Sequence, residues 1–180
     1  MGSRRIEIEN IVRELGEFLL FNNEIPEFKK LARERAEAIT RDDIEILHAL
    51  FHRAPESPLY NPEVHGLGGW ISRSQFAIFE LIYNLKAEAL PFLRKIAWGE
   101  YDWTQGNAIE ILIRLASEGI NRESIIKEIK KNFPEIRYEA QLYSVQPLIG
   151  ELDSNKDLED IFCELLEIEE FQDAYEELTE

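Results

Sequence analysis

The segment that most constrains the fold of this chain spans residues 88–116 and reads EALPFLRKIAWGEYDWTQGNAIEILIRLA. Two apolar runs with helical spacing flank a short turn that is rich in aromatic and acidic residues. Both runs are so apolar that an isolated pair of helices would leave much of their apolar surface in water. The segment therefore predicts a helical hairpin that further helices must cover.

The rest of the chain shows helical periodicity, and no stretch has the alternating pattern of a strand. Apolar spacing predicts helices at about 5–21, 27–39 and 42–53, and glycine and proline punctuation predicts more from residue 72 onward. Residues 54–71 hold three prolines and three glycines, which predict a long connection. We therefore predict a single all-α domain with about nine or ten helices.

The helices beyond residue 72 repeat as pairs. Superposing the pairs aligns Ala77, Ala108 and Ala140, which are 31 and 32 residues apart. A period of this length is typical of stacked helical hairpins, in which each hairpin needs neighbours to cover its apolar faces.

Two motifs in these hairpins resemble the helix openings of HEAT repeats. Residues 134–137 (Pro-Glu-Ile-Arg), followed by Ala140, resemble the Pro-Glu-Val-Arg…Ala opening of a first helix in that family. Residues 90–93 (Leu-Pro-Phe-Leu) resemble its Val-Pro-Ala-Leu opening of a second helix. The resemblance implies an α-solenoid, a right-handed stack of antiparallel helical hairpins used for binding, and it implies no particular chemistry.

This resemblance leads to a division of the chain into four segments. Residues 1–53 would form N-terminal helices or a cap, 54–71 a long loop, 72–168 about three HEAT-like hairpins, and 169–180 an acidic C-terminal helix.

Charge is distributed unevenly along the chain. The formal net charge is −16, and residues 135–180 hold 15 acidic and two basic residues. Most of these acids are expected to form a solvated face on the last repeat, but the excess is larger than solubility requires. An acidic field repels nucleic acid and anionic membranes and attracts basic proteins. We therefore expect a basic protein partner and neither a nucleic-acid nor a membrane partner.

The single cysteine, Cys163, lies in an apolar helical pattern beside Phe162, so we expect its thiol to be buried. No apolar run is long enough for a signal peptide or a membrane span. Because one cysteine cannot form an internal disulfide, the reducing cytoplasm is the expected location.

The sequence offers no strong candidate for catalysis or for a metal or cofactor site. His48 and His52 lie one helical turn apart with Glu45 on the same face, but no third zinc ligand is identifiable and the Glu of the zinc-protease motif is missing. The glycine-rich residues 65–69 lack the Gly-Lys-Ser/Thr ending of a phosphate-binding loop. We expect a non-enzymatic protein without a metal or cofactor.

The turn at residues 98–103 (Trp-Gly-Glu-Tyr-Asp-Trp) has two interpretations. In the structural one, the tryptophans cover the hairpin end and Asp102 caps the next helix. In the functional one, the turn is a protein-binding hot spot, because aromatic residues with flanking charge are typical of interface centres. Trp70 and Arg73 would then lie on the same edge one repeat earlier. The candidate partner-binding residues are Trp70, Arg73, Glu100, Tyr101, Asp102, Trp103, Glu159 and Asp160.

Three classes of function follow from these patterns. The first is a bacterial immunity protein that neutralises a cognate basic toxin, such as a nuclease, through electrostatic steering and aromatic anchoring at Trp70, Tyr101 and Trp103. The second is a helical-repeat scaffold or adaptor in a host pathway. The third is a DNA glycosylase for alkylated bases, which resembles this chain in repeat shape but needs a basic groove.

Overall fold

The computed structural model describes residues 2–22, 24–100 and 102–180, and these residues form helices and connections without a strand. The predicted all-α class is thereby confirmed. The described residues form eleven α-helices, more than the nine or ten predicted, because the connection after residue 53 contains a short helix of its own. The chain packs as two compact units, Met1–Ala89 and Leu90–Glu180, called unit 1 and unit 2 below.

Unit 1 is built around its last long helix. Its helices are α1 (Gly2–Phe21), α2 (Ile25–Ala36), α3 (Ile44–His52), α4 (Pro62–His65) and α5 (Gly69–Asn84). Helices α1, α2 and α3 all pack against α5, so residues 77–82 of α5 are buried on every side. Phe79 of α5 meets Phe51 of α3 edge to face, with ring centroids 5.2 Å apart.

A buried carboxylate links the first turn of α1 to the start of α3. Asp43, which directly precedes α3, is 3% exposed and accepts a 2.9 Å hydrogen bond from Arg4 Nε of α1. The backbone N–H and the hydroxyl of Thr40 donate to the same carboxylate. The hydrogen bond from Arg4 is the main reason that the pKa of Asp43 lies below its ordinary value.

Residues 53–68 connect α3 to α5 and are held by hydrogen bonds and by ring contacts of Tyr60 with His65 and Trp70. Ser57 Oγ donates to Glu17 Oε1 over 2.7 Å, and Tyr60 Oη donates to the Gly66 carbonyl over 2.5 Å. The predicted long loop is therefore a tethered connection that includes α4.

Unit 2 is organised around α7. Its helices are α6 (Leu90–Ala97), α7 (Gln105–Ser117), α8 (Arg122–Asn132), α9 (Tyr138–Ile149), α10 (Lys156–Leu165) and α11 (Glu169–Thr179). Helices α6, α8, α9 and α10 all pack against α7, and α11 packs against α9. Ion pairs also join α6 to α8 through Arg94 and Glu128, and α8 to α10 through Lys130 and Glu164.

Because four helices surround α7, every one of its residues except Asn107 is buried. Its buried charges are paired with each other: Arg114 Nη1 lies 3.2 Å from Glu110 Oε1 one turn away, and each side chain is 8% exposed. A paired arrangement of this kind limits the cost of removing two charges from water.

Three buried glutamines recur in equivalent roles in the two units. Gln75 of α5, Gln105 of α7 and Gln141 of α9 are each at most 5% exposed. Each amide donates to a carbonyl at or just beyond the C-terminal end of the preceding long helix, where carbonyls lack partners within the helix. The acceptors are the carbonyl oxygens of Phe51, Ala97 and Phe133, at 3.1, 3.0 and 3.0 Å.

Two local expectations from the sequence are wrong. Helix α9 begins at Tyr138 and not at Pro134, because residues 133–135 form a 3-10 turn and Ile136 is extended at φ −81° and ψ 163°. Cys163 is exposed and not buried. The buried face of α10 is formed by Leu158, Ile161, Phe162 and Leu165, and Cys163 lies beyond the edge of that stripe.

Among residues 2–22, 24–100 and 102–180, no helix has the length and apolar character needed to cross a membrane. His48 and His52 do share a face of α3, with perpendicular rings whose centroids are 4.9 Å apart. Within the same described residues, no group of three or more His, Cys, Asp or Glu side chains is placed to hold a metal ion.

Gly106 allows the close approach of α7 and α9. A Cβ at this position would lie 2.5 Å from the Ala140 carbonyl oxygen and 2.6 Å from Tyr143 Cβ. No real contact is that short, so an alanine would force the two helices apart.

We predict that Gly106→Ala lowers the free energy of unfolding by about 1–3 kcal/mol, the usual cost of overpacking a core. Gly150→Ala is the matched control, because Gly150 has φ −68° and a Cβ there would meet no atom within 4 Å. Urea unfolding followed by circular dichroism measures both variants. Equal stabilities for the two variants would show that the α7–α9 contact tolerates a methyl group.

Candidate protein-binding surface

Side-chain hydrogen bonds hold both ends of the turn between α6 and α7. Asp102 Oδ1 accepts hydrogen bonds from the backbone N–H of Thr104 at 3.0 Å and from its hydroxyl at 2.8 Å. These bonds form a turn just before α7, but Thr104 occupies the N-cap position of α7 and no side chain caps the helix, so the predicted capping of α7 by Asp102 is wrong. The half-buried Trp98 donates from Nε1 to Glu128 Oε2 of α8 at 3.2 Å. Trp98 and Asp102 therefore both have structural roles.

Glu128 is the point at which this turn is tied to α8. Its carboxylate accepts hydrogen bonds from Arg94 Nε at 2.9 Å, from Arg94 Nη2 at 2.7 Å and from Ser124 Oγ at 2.9 Å. Burial acts to raise the pKa of Glu128, but the hydrogen bonds, chiefly those from Arg94, outweigh burial and hold that pKa below its ordinary value.

A cavity of about 380 Å³ opens beside the turn, where it faces the connection between α8 and α9. Its lining mixes an indole, amides and charged groups: Trp98, Gly99, Gln105, Asn132, Glu135, Ile136 and Arg137. The cavity supplies a concave surface of mixed polarity next to the predicted hot spot.

The residues that the functional interpretation assigns to this turn differ in their environments. Glu100 is exposed, and Trp103 is half-buried and has an interaction partner in the structure. Tyr101 lies outside the described residues. A partner-binding role for Glu100, Tyr101 and Trp103 stays a prediction.

Trp70 and Arg73 belong to unit 1, and their side chains form hydrogen bonds within that unit. Trp70 is 8% exposed, its indole lies against Gly16, and its Nε1 donates to the Pro55 carbonyl at 2.5 Å. Arg73 donates from Nε to the Leu19 carbonyl at 3.0 Å and from Nη1 to the Gly69 carbonyl at 2.9 Å. The side chains therefore have structural roles, and the burial of Trp70 leaves little indole surface for the partner anchoring that the sequence analysis assigns to it.

The acidic C-terminal helices present the most strongly charged surface of unit 2. Asp157, Glu159 and Asp160 of α10 are exposed, and within the described part of the chain they form no ion pair or side-chain hydrogen bond. By contrast, Glu164 and Glu167 lie 3.3 and 3.1 Å from Lys130 Nζ of α8. The side of α10 that faces α8 is thus partly neutralised, whereas Glu159 and Asp160 remain uncompensated.

A groove between α10 and α11 lies within this acidic surface, and we call it the C-terminal groove. Its volume is about 390 Å³, and it is lined by Leu152, Asp153, Glu159, Phe162, Cys163, Leu166 and Tyr175. The groove is not evident in the sequence, because the lining residues come from two helices and a turn that only tertiary packing brings together. The one available signal was Tyr175, an aromatic residue one turn after Phe171 in an otherwise acidic helix.

A second groove between α8 and α10 has the opposite local charge. It is lined by Arg122, Glu123, Ile126, Lys127, Lys130 and Glu164, with a volume of about 490 Å³. Glu164 accepts ion pairs from both Arg122 and Lys130, so much of this positive charge is already compensated inside the protein.

No protein-family model, curated protein or solved structure matches this chain. The function of these surfaces is therefore inferred from their own geometry and charge.

We predict that Glu128→Gln lowers the free energy of unfolding at neutral pH by about 1–2 kcal/mol, because Arg94 loses its ion-pair partner and one carboxylate acceptor is replaced by an amide nitrogen. Since the folded-state pKa of Glu128 is lowered, its stabilisation is present above the ordinary carboxyl pKa and is lost as the pH falls through the lowered value. The difference from wild type should therefore shrink toward zero in acid.

Glu123→Gln is the control, because Glu123 is exposed on the same helix and has no side-chain partner among the described residues. Urea unfolding at several pH values measures all three proteins. A deficit in Glu128→Gln that did not change with pH would contradict the assigned role of the carboxylate charge.

Proposed function

We propose that this chain is a non-enzymatic binding protein whose acidic C-terminal surface engages a basic protein. In its most concrete form, it is an immunity protein that binds a cognate toxin, such as a nuclease, and covers the cationic active site. Binding neutralises the toxin without any chemistry on the part of this chain.

The observation that carries the proposal is the row of uncompensated carboxylates on α10. Asp157, Glu159 and Asp160 are exposed and form no ion pair within the described residues. They lie in a segment with 15 acidic and only two basic residues. A field of one sign accelerates encounter with a cationic partner and discourages acidic ones.

We further propose that unit 2 is a short HEAT-like solenoid that presents this surface on a rigid base. Two rows of helices support the interpretation: α7, α9 and α11 pack in that order, and ion pairs join α6, α8 and α10 in the same order. In this arrangement α7 with α8 and α9 with α10 are successive hairpins. The buried glutamines Gln105 and Gln141 form the same type of hydrogen bond, each to a carbonyl at or just beyond the end of the helix that precedes its hairpin.

Aromatic anchoring at Tyr101 and Trp103 is the second step of the proposed mechanism. Charge brings the partner to the surface, and aromatic side chains contribute the desolvated contacts that lengthen the lifetime of a complex. Glu100 and Asp102 flank these aromatics and extend the acidic character to the turn.

The test is affinity capture from the source cells with three immobilised proteins. The first is wild type, and the second carries Asp157→Asn, Glu159→Gln and Asp160→Asn. The third is a control that loses the same three charges from exposed positions of unit 1, through Glu24→Gln, Glu27→Gln and Glu37→Gln. We expect wild type and control to capture the same basic protein at low salt, and the α10 variant to bind it about tenfold more weakly.

The purified partner then tests the immunity function. A stoichiometric amount of this chain should abolish the partner's activity, and nuclease activity is assayed first. Equal affinity of all three proteins for the partner, or capture of an acidic partner, would contradict the electrostatic proposal. A basic partner that stays fully active in the complex would favour the scaffold or adaptor alternative.

A further inference from the structure

The C-terminal groove has an aromatic wall. Phe162 of α10 and Tyr175 of α11 meet edge to face with ring centroids 5.2 Å apart. Phe162 is 2% exposed, whereas Tyr175 is half-buried, so the tyrosine contributes the accessible part of the wall. Leu152 and Leu166, both half-buried, add aliphatic surface.

Two carboxylates stand on the rim of this apolar wall. Asp153 and Glu159 line the groove, are exposed, and form no ion pair or side-chain hydrogen bond within the described residues. None of the described residues that line the groove is basic. Its negative charge is therefore uncompensated, unlike the charge of the groove between α8 and α10.

An apolar wall under uncompensated carboxylates matches one kind of side chain. Arginine and lysine bury an apolar stem while the charged head stays near water. A guanidinium also stacks on an aromatic ring and hydrogen-bonds to carboxylates in a planar fork, which a lysine ammonium cannot do. A volume of about 390 Å³ lies near the lower end of ligand-pocket volumes, which suits a side chain with its flanking backbone.

We propose that the C-terminal groove holds an arginine side chain from a basic segment of the protein partner. The inference rests on the proposed function and names its contact point. A second copy of this chain is a poor occupant because each copy carries a net charge of −16, and an anionic membrane is a poor occupant for the same reason.

Cys163 provides a direct reporter of occupancy. It is the single cysteine of the chain, it is exposed, and it lines the groove. A peptide seated in the groove should therefore slow alkylation of Cys163 by iodoacetamide, a neutral reagent whose local concentration does not depend on nearby charge.

The experiment uses a six-arginine peptide with the full-length chain. Calorimetry measures total peptide binding, and the ratio of alkylation rates with and without peptide measures occupancy of the groove. The test variant is Asp153→Asn with Glu159→Gln. The matched control is Glu24→Gln with Glu27→Gln, which removes the same charge at exposed positions of unit 1, outside the acidic C-terminal surface.

We expect the peptide to protect Cys163 in wild type and in the control. In the test variant we expect peptide binding to weaken by about tenfold or more, which corresponds to the loss of at least one charge-assisted hydrogen bond. We also expect the protection of Cys163 to disappear. Circular dichroism confirms that all variants are folded.

Two results would contradict the proposal that the groove holds an arginine but would leave the proposed function standing. One is peptide binding without protection of Cys163, and the other is equal weakening in both double variants, which would assign binding to the general acidic field. A peptide that binds none of the proteins at low salt would overturn the groove and the acidic binding surface together.

Discussion

The burial of α7 on nearly all of its surface is the constraint on which unit 2 depends. A helix that is apolar on all sides must be surrounded, and α6, α8, α9 and α10 supply the cover. Gly106 lets α9 come close enough to close one side. The paired charges of Glu110 and Arg114 occupy the buried helix without an isolated charge. The acidic helix α10 is thus held by its contact with α7, and its exposed side carries carboxylates.

The sequence was sufficient for those parts of the fold that local patterns determine. The all-α class follows from helical periodicity and is confirmed. The capping of α7 by Asp102 was predicted wrongly, because Thr104 occupies the N-cap position and Asp102 bonds only to Thr104. The predicted start of α9 at Pro134 was wrong, because a proline fits a 3-10 turn as well as a first helical turn. The exposure of Cys163 was missed because the edge of an amphipathic stripe depends on which neighbours cover it.

The candidate site was less accessible to sequence reasoning. The excess of acidic residues in the C-terminal segment was visible in the composition. Its partial neutralisation by Lys130 was not visible, because Lys130 pairs with carboxylates 34 and 37 positions away in the sequence. The burial of Trp70 depends on contact with Gly16, far away along the chain. The C-terminal groove likewise exists only where α10 and α11 pack with the turn at Asp153. Long-range packing therefore decides which acids and aromatics are available for binding.

The central claim is that a basic protein binds the outward surface of α10 and α11. Amide hydrogen exchange of the chain, alone and mixed with its captured partner, tests this claim most directly. We predict that exchange slows in the complex across residues 152–180, with the largest change in the amides of α10 and α11 beside the C-terminal groove. Protection confined to unit 1 or to the basic face of α8, with exchange in α10 and α11 unchanged, would contradict it.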